Sequence, residues 1–150
     1  MPKKFALQRV LEIATIHTES AAASLGALNR QLQLHEERLM LLFQYRADYQ
    51  ERLRRAITGG VDGAALRNFH DFMDKLEQAI LQQHAVVVDA RTRADSGLHE
   101  WHSKRRKSKA FDTLSQRFDS TVRQGEAKLE QKVQDDFAGR ATNGKSTARR

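Results

Sequence analysis

The sequence predicts an all-α fold, a long two-helix antiparallel coiled-coil hairpin, and three observations support it. Apolar residues recur at alternating steps of three and four positions along two segments, which is the spacing of a coiled-coil seam. One glycine-rich stretch, residues 58–63, separates the two segments. The 150-residue chain has one proline, at position 2, and no cysteine. This composition suits long helices and excludes disulfides and thiolate chemistry.

The first helix is predicted over about residues 4–57, and its seam positions follow the apolar spacing from end to end. These positions are Leu7, Leu11, Ala14, Thr18, Ala21, Leu25, Leu28, Leu32, His35, Leu39, Leu42, Arg46, Tyr49 and Leu53. The amphipathic stretch that follows the first four residues is not a signal peptide. The longest purely apolar run, Ala85–Val88, is far shorter than the roughly 20 residues that span a bilayer.

The turn is predicted over residues 58–63, and its length makes the helices antiparallel. Gly59 is expected to take the left-handed conformation that closes a helix. Asp62 is expected to accept backbone N–H bonds as the N-cap of the second helix.

The second helix is predicted over about residues 64–138, which completes a hairpin domain of residues 1–138. Its seam positions are Leu66, Phe69, Met73, Leu76, Ile80, Gln83, Val87, Ala90, Ala94, Gly97, Trp101, Phe111, Ser115, Phe118, Val122 and Leu129. Because this helix is longer than the first, residues from about Val122 onward are expected to protrude uncovered. Residues 139–150 have no acidic and no large apolar side chain, and we expect a disordered basic tail there.

Folding the chain over this turn predicts a register in which large residues face small ones. The expected pairs include Leu53–Phe69, Leu28–Ala94, Leu25–Gly97 and Trp101–Ala21. Complementary size across a close-packed seam favours this alignment over a shifted one. Nearer the termini the seam is polar, with Thr18 opposite Lys104, so we expect this end to fray most.

The net charge of +7 indicates an acidic partner surface without identifying it. The densest basic cluster comprises Lys104, Arg105, Arg106, Lys107 and Lys109. It is open to three interpretations: a solvated helix face, electrostatic contact with nucleic acid, or docking to an acidic protein. No aromatic residue interleaves with these cations for base stacking, which lowers the case for sequence-specific nucleic-acid binding.

Two motifs resemble chemical sites without the structural context that such sites need. Residues 139–146 match the P-loop string, but a helix precedes them and only four residues follow, so a chance match is expected. His99 and His102, with His17 and Glu19 opposite, make zinc conceivable, although surface histidines are the better interpretation. His35 is read as a polar seam residue opposite Val87. No catalytic set can be assembled, so we expect a non-enzyme without cofactor or metal.

An aromatic patch is predicted beside the turn. Tyr45, Tyr49 and Phe72 lie near one another in the predicted register, joined by Leu42, Leu76 and Ala79. Tyr45 and Phe72 flank the seam, and two helices cannot bury such positions completely. An exposed apolar stripe indicates partner binding; the alternative is that these rings fold down and lengthen the core.

Several segments resemble the FliJ family of flagellar export proteins. They are Glu36–Tyr49, the glycine-rich turn, Phe69–Ile80, Ala21–Gly26 and Trp101–Lys107. The resemblance covers roughly residues 5–140. It implies a non-catalytic antiparallel hairpin that acts as a stalk, promotes ring assembly and activity of the hexameric export ATPase FliI, and contacts the export gate FlhA and export chaperones.

The resemblance also implies which residues make these contacts. The gate-contact candidates are Leu42, Tyr45, Tyr49, Phe72, Leu76 and Ala79. Arg38 stands where the family can carry glutamine, and Gln83 stands where we expect histidine, so the chain departs from the family at the rim of the patch. The basic cluster from Lys104 to Lys109 is the candidate for contact with the ATPase ring.

Two other functions remain open at this point: the stalk of a virulence type III secretion system, and a basic coiled-coil nucleic-acid-binding protein. The preferred interpretation has no nucleic-acid partner. It places the protein in the cytoplasm, peripheral to the inner membrane only through the export apparatus.

Overall fold

The computed structural model describes the backbone of residues 2–148 and the side chains of residues 6–144. Two helices, α1 (Pro2–Thr58) and α2 (Gly63–Ala148), make up nearly all of this range, which contains no strand. Proline is favoured at the first position of a helix, where its missing N–H has no intrahelical partner. The predicted all-α hairpin of two packed helices is confirmed.

In the turn, the left-handed conformation is taken by a different glycine from the one predicted. The N–H of Gly59 still donates to the carbonyl of Arg55 at 3.0 Å, which continues the helical hydrogen-bond pattern by one residue. Gly60 then takes the positive φ, at 82°, and its N–H donates to the carbonyl of Ile57 at 3.3 Å. The prediction for Gly59 was wrong by one position, because two adjacent glycines are equally free to adopt the left-handed region.

Asp62 caps the start of α2 as predicted. Its Oδ1 accepts a hydrogen bond from the N–H of Ala64 at 3.3 Å, and its carbonyl accepts one from Leu66 at 3.0 Å. A side-chain acceptor at this position satisfies an N–H group that has no partner within the helix, which typically stabilises a helix by about 1 kcal/mol.

The chain forms two compact units, and the unit of residues Thr18–Lys104 contains the turn and most of the buried core. Its buried apolar side chains all lie on α2 and all occupy predicted seam positions: Leu76, Ile80, Val87, Ala90 and Ala94. Gly97 confirms the predicted register, since a methyl group on its Cα would lie 3.6 Å from Leu25 Cδ1 and 2.8 Å from Leu28 Cδ1. The helices approach closely here because Gly97 has no side chain.

Polar contacts between the helices agree with the same register. The Gln83 amide donates to the main-chain carbonyl of His35 at 3.0 Å, while the buried Nδ1 of the His35 ring has no hydrogen-bond partner among the described residues. An Arg46–Glu77 ion pair at 3.4 Å lies further toward the turn. Such partly exposed pairs contribute about 1 kcal/mol or less. They are therefore consistent with the register, whereas apolar packing determines it.

The second unit consists of the residues up to His17 and from Arg105 onward. Among its described residues only Ala14 is buried, while Phe111, Phe118 and Val122 are half-buried at predicted seam positions. Every residue from Arg123 to Gly144 is exposed. This confirms that α2 is uncovered beyond Val122, and the predicted seam residue Leu129 is exposed for that reason.

Helix α2 passes its predicted end near residue 138 and continues through Ala148. No proline interrupts residues 139–148, and glycine at positions 139 and 144 only weakens a helix, by about 1 kcal/mol each. The predicted tail of residues 139–150 therefore starts as helix. Its last two residues, Arg149 and Arg150, lie outside the described part of the chain. Neither helix has an apolar stretch long enough to cross a membrane within the residues described.

Local stability is expected to follow the distribution of buried residues. Amide hydrogen exchange should be slow over residues 25–50, because they pack against the buried side chains of α2. It should be fast over residues 8–18 and 104–115, where Ala14 is the one buried apolar side chain. Exchange measured by mass spectrometry on the intact chain tests this. Equal protection of the two regions would show that the polar seam positions do not weaken packing.

A glycine-to-leucine comparison tests the close approach at Gly97. Gly97→Leu should lower the free energy of unfolding by about 2 kcal/mol, because a side chain there overlaps Leu28. Gly125→Leu, at an exposed helical position with open space around it, should raise it by about 0.5–1 kcal/mol through helix propensity. Urea unfolding followed by circular dichroism measures both, and two changes of the same sign would contradict the packing described.

Candidate partner-binding sites

The aromatic patch is built where the register brings the end of α1 beside the start of α2. The Tyr49 and Phe72 rings stack with centroids 4.0 Å apart, and Phe69 meets Tyr49 edge-on at 6.1 Å. Contacts of this kind each contribute roughly 0.5–1.5 kcal/mol beyond area burial. The predicted adjacency of Tyr49 and Phe72 is thus observed.

The remaining predicted patch residues divide into a surface and a support. Tyr45 is 51% exposed and Phe72 is 40% exposed, while Leu42 and Ala79 are half-buried at their sides. Leu76 is 7% exposed, so it supports the patch from beneath and presents little surface of its own. Within the described residues, the Tyr45 ring stacks on no other aromatic ring.

A shallow open groove of about 380 Å³ extends the patch toward the turn. It is lined by Tyr49, Ala65, Asn68, Phe69 and Phe72. Ala65 and Asn68 were not among the predicted site residues, although they lie seven and four positions before Phe72 and so share its helix face. Phe69 was assigned only to the seam, where its edge also reaches the groove.

Charged groups surround the aromatic rings. The Arg52 guanidinium lies 5.7 Å from the Tyr49 ring centroid, and that of Arg46 lies 5.1 Å from the Phe43 ring centroid. These geometries fit cation–π attraction, worth about 0.5–1 kcal/mol at exposed sites. Arg46 is also ion-paired with Glu77, so charges of both signs lie beside the aromatic rings.

Near the end of α1, Glu51 holds two arginines on the helix surface. Arg54 donates to it at 2.8 and 3.1 Å and Arg55 at 3.2 Å. The hydrogen bonds from Arg54, followed by the hydrogen bond and the charge of Arg55, lower the pKa of Glu51 below its ordinary value of 4.5. Since the folded-state pKa is the lower one, any stabilisation is present at neutral pH and is lost as the pH falls through that value.

The basic cluster lies entirely on α2. Lys104 is half-buried, whereas Arg105, Arg106, Lys107 and Lys109 are exposed. At about 100° per residue, Arg105, Arg106 and Lys109 fall within about 100° of one another on one side of the helix, with Arg105 beside the seam and the other two further from it. These three cations can therefore meet an acidic surface together.

The other two motifs do not form chemical sites in the described residues. The backbone of residues 139–146 belongs to α2, so the P-loop string forms no loop around a phosphate. His99 and His102 are exposed, the His102 ring contacts Trp101 at 4.9 Å, and the described part of the chain contains no group of three or more metal-binding side chains.

Comparison with known proteins decides the family. The model of the family described as "Flagellar FliJ protein" matches residues 3–147. The chain belongs to the FliJ family. The flagellar FliJ protein of Escherichia coli strain K12 is 30% identical over 141 residues, covering 94% of this chain and 96% of the relative. That of Salmonella typhi is 29% identical with the same coverage.

A solved structure shows the same fold at lower identity. The structure of a YscO homolog from Chlamydia trachomatis superposes with a TM-score of 0.68 and 18% identity, and covers 88% of this chain and 90% of its own. Membership of the FliJ family makes the chain a component of flagellar type III protein export. The FliJ family is a non-catalytic part of that system.

Proposed function

We propose that this chain is the stalk and coupling factor of the flagellar export ATPase, with no catalytic activity of its own. The family match over residues 3–147 carries the proposal. A coiled coil suits this role because side-chain packing holds two helices in a fixed alignment, and its charged outer faces can complement a protein pore. In this proposal the chain promotes ring assembly and activity of FliI.

The aromatic patch is the proposed contact with the export gate FlhA. Exposed aromatic side chains over a packed support are the groups that most often dominate binding energy at protein interfaces. Tyr45 and Phe72 supply this surface, and Leu42, Tyr49, Leu76 and Ala79 hold it in place. The groove beside Tyr49 offers a recess for one apolar side chain of the partner.

The basic cluster is the proposed contact with the ATPase ring. Exposed cations contribute mainly to the association rate and to orientation, because water and salt screen them. The exposed helix beyond Val122 follows the cluster on α2 and adds length that can enter a ring. Contact with export chaperones and peripheral association with the inner membrane through these partners complete the proposal.

The gate contact is tested with paired alanine variants. Tyr45→Ala combined with Phe72→Ala should weaken binding to purified FlhA by at least about tenfold, because two interface aromatics are removed. Isothermal titration calorimetry measures the affinity, and circular dichroism checks that helicity is unchanged. Met40→Ala with Leu81→Ala is the matched control, since both residues are exposed and apolar but lie outside the patch.

Two results would count against the gate contact. Unchanged affinity of the patch variant for FlhA would exclude the patch as the gate contact. An equal loss of affinity in the control variant would exclude it as well. A large fall in melting temperature for the patch variant alone would assign Tyr45 and Phe72 to the core instead.

The ring contact is tested by charge reversal. Arg105→Glu with Arg106→Glu should abolish stimulation of FliI hydrolysis, because the cluster would then repel an acidic pore wall. Arg30→Glu with Arg67→Glu changes the net charge equally at exposed positions elsewhere and should leave stimulation intact. Stimulation retained by the cluster variant would exclude the role assigned to these cations.

A further inference from the structure

The uncovered part of α2 carries an apolar stripe that no described residue covers. Leu129, Val133 and Phe137 are 64%, 66% and 76% exposed. Their spacing of four residues places them along one face of the helix. We refer to these three residues as the terminal stripe.

The terminal stripe continues the coiled-coil seam. Phe118 and Val122 are half-buried seam residues, and Leu129 and Val133 lie seven and eleven positions after Val122, on the same helix face. The face of α2 that packs against α1 up to Val122 thus continues beyond the part of α2 that α1 covers. A helix that replaces α1 on this face fits the geometry already established along the chain.

Charge identifies the kind of helix that fits. Residues 122–140 contain four cations and four anions, a net charge of zero, although the whole chain carries +7. The cations are Arg123, Lys128, Lys132 and Arg140, and the anions are Glu126, Glu130, Asp135 and Asp136. An acidic partner gains little from such a segment, whereas a second copy of it meets no net repulsion.

The order of these residues is complementary to itself when one copy is reversed. With Val133 opposite Val133 of a second copy, Leu129 faces Phe137 and Glu126 faces Arg140, and each pair occurs twice by two-fold symmetry. We propose that the terminal stripe is a self-association surface, on which two copies of this chain pair antiparallel about Val133. One like-charge opposition, Glu130 with Asp136, weakens the pair.

The expected dimer is weak. The paired segments offer three apolar residues on each side, which is below the size of a standard stable interface. We expect dissociation constants on the order of 10–100 µM. A reversible dimer of this strength occludes the terminal stripe at high local concentration and exposes it on dilution.

Cysteine crosslinking tests the alignment, because the chain contains no cysteine of its own. The full-length Val133→Cys variant should form a disulfide-linked dimer under mild oxidation. Gln131→Cys, exposed on the opposite side of the same helix, should not. A mixture of Leu129→Cys and Phe137→Cys chains should crosslink to each other, whereas Leu129→Cys alone should not, since antiparallel pairing separates the two Leu129 positions by about 12 Å.

Charge exchange tests the chemistry of the same pairing. In sedimentation velocity across a concentration series, Glu126→Arg should weaken the dimer by about tenfold, because it places arginine opposite Arg140 at both ends. Arg140→Glu should weaken it similarly, and the double variant should restore the original affinity. Restoration distinguishes pairing of these residues from a general effect of net charge.

Three outcomes would overturn the proposal. They are a monomer at all concentrations up to about 1 mM, crosslinking of Leu129→Cys chains without the Phe137→Cys partner, and a double charge variant no tighter than the single ones. The FliI and FlhA assays use other residues, so failure here leaves the proposed function standing, and failure there leaves the dimer standing.

Discussion

The close approach of the helices at Gly97 is the constraint on which the described packing of residues 18–104 depends. Leu25 and Leu28 fill the space that a glycine leaves open, with Leu28 Cδ1 only 2.8 Å from where a methyl group would stand. A shift of one heptad would bring larger side chains to this level, so the seam fits in one alignment. That alignment also sets which residues meet beside the turn, and the stacking of Tyr49 on Phe72 follows from it.

The surfaces that this hairpin presents rely on different physics. The patch beside the turn is apolar and aromatic, so in the proposed gate contact the binding energy comes from removing apolar area from water over a rigid support. The basic cluster on α2 is charged, so in the proposed ring contact it would act on orientation and association rate and respond to salt. The terminal stripe combines a short apolar row with balanced charge, which favours a partner of the same composition. The proposed coupling role needs such separate contacts, because it requires binding to more than one component.

The sequence predicted most of the fold because the residues of a coiled-coil seam recur at a regular spacing. Every described seam position from Leu7 to Val122 is buried or half-buried, and the capping role of Asp62 follows from its place before α2. The left-handed glycine, the end of α2 and the lining of the groove are not specified by any such periodic pattern. Gly59 and Gly60 are chemically equal candidates for the left-handed residue. The lack of large apolar side chains in residues 139–150 suggested a disordered tail, although α2 continues through Ala148. Predicting the groove at Asn68 would have required the orientation of the Phe69 ring, which the sequence does not specify. Leu76 was predicted as a contact residue, but packing buries it.

Coupling to the export ATPase is the central claim, and one reconstitution tests it most directly. The unmodified chain is titrated into purified FliI while ring assembly is followed by electron microscopy and ATP hydrolysis by phosphate release. The stalk function predicts that both rise together and saturate well below one chain per ATPase subunit, because a central pore has room for few hairpins. Assembly and hydrolysis that stay at their basal levels throughout the titration would contradict it.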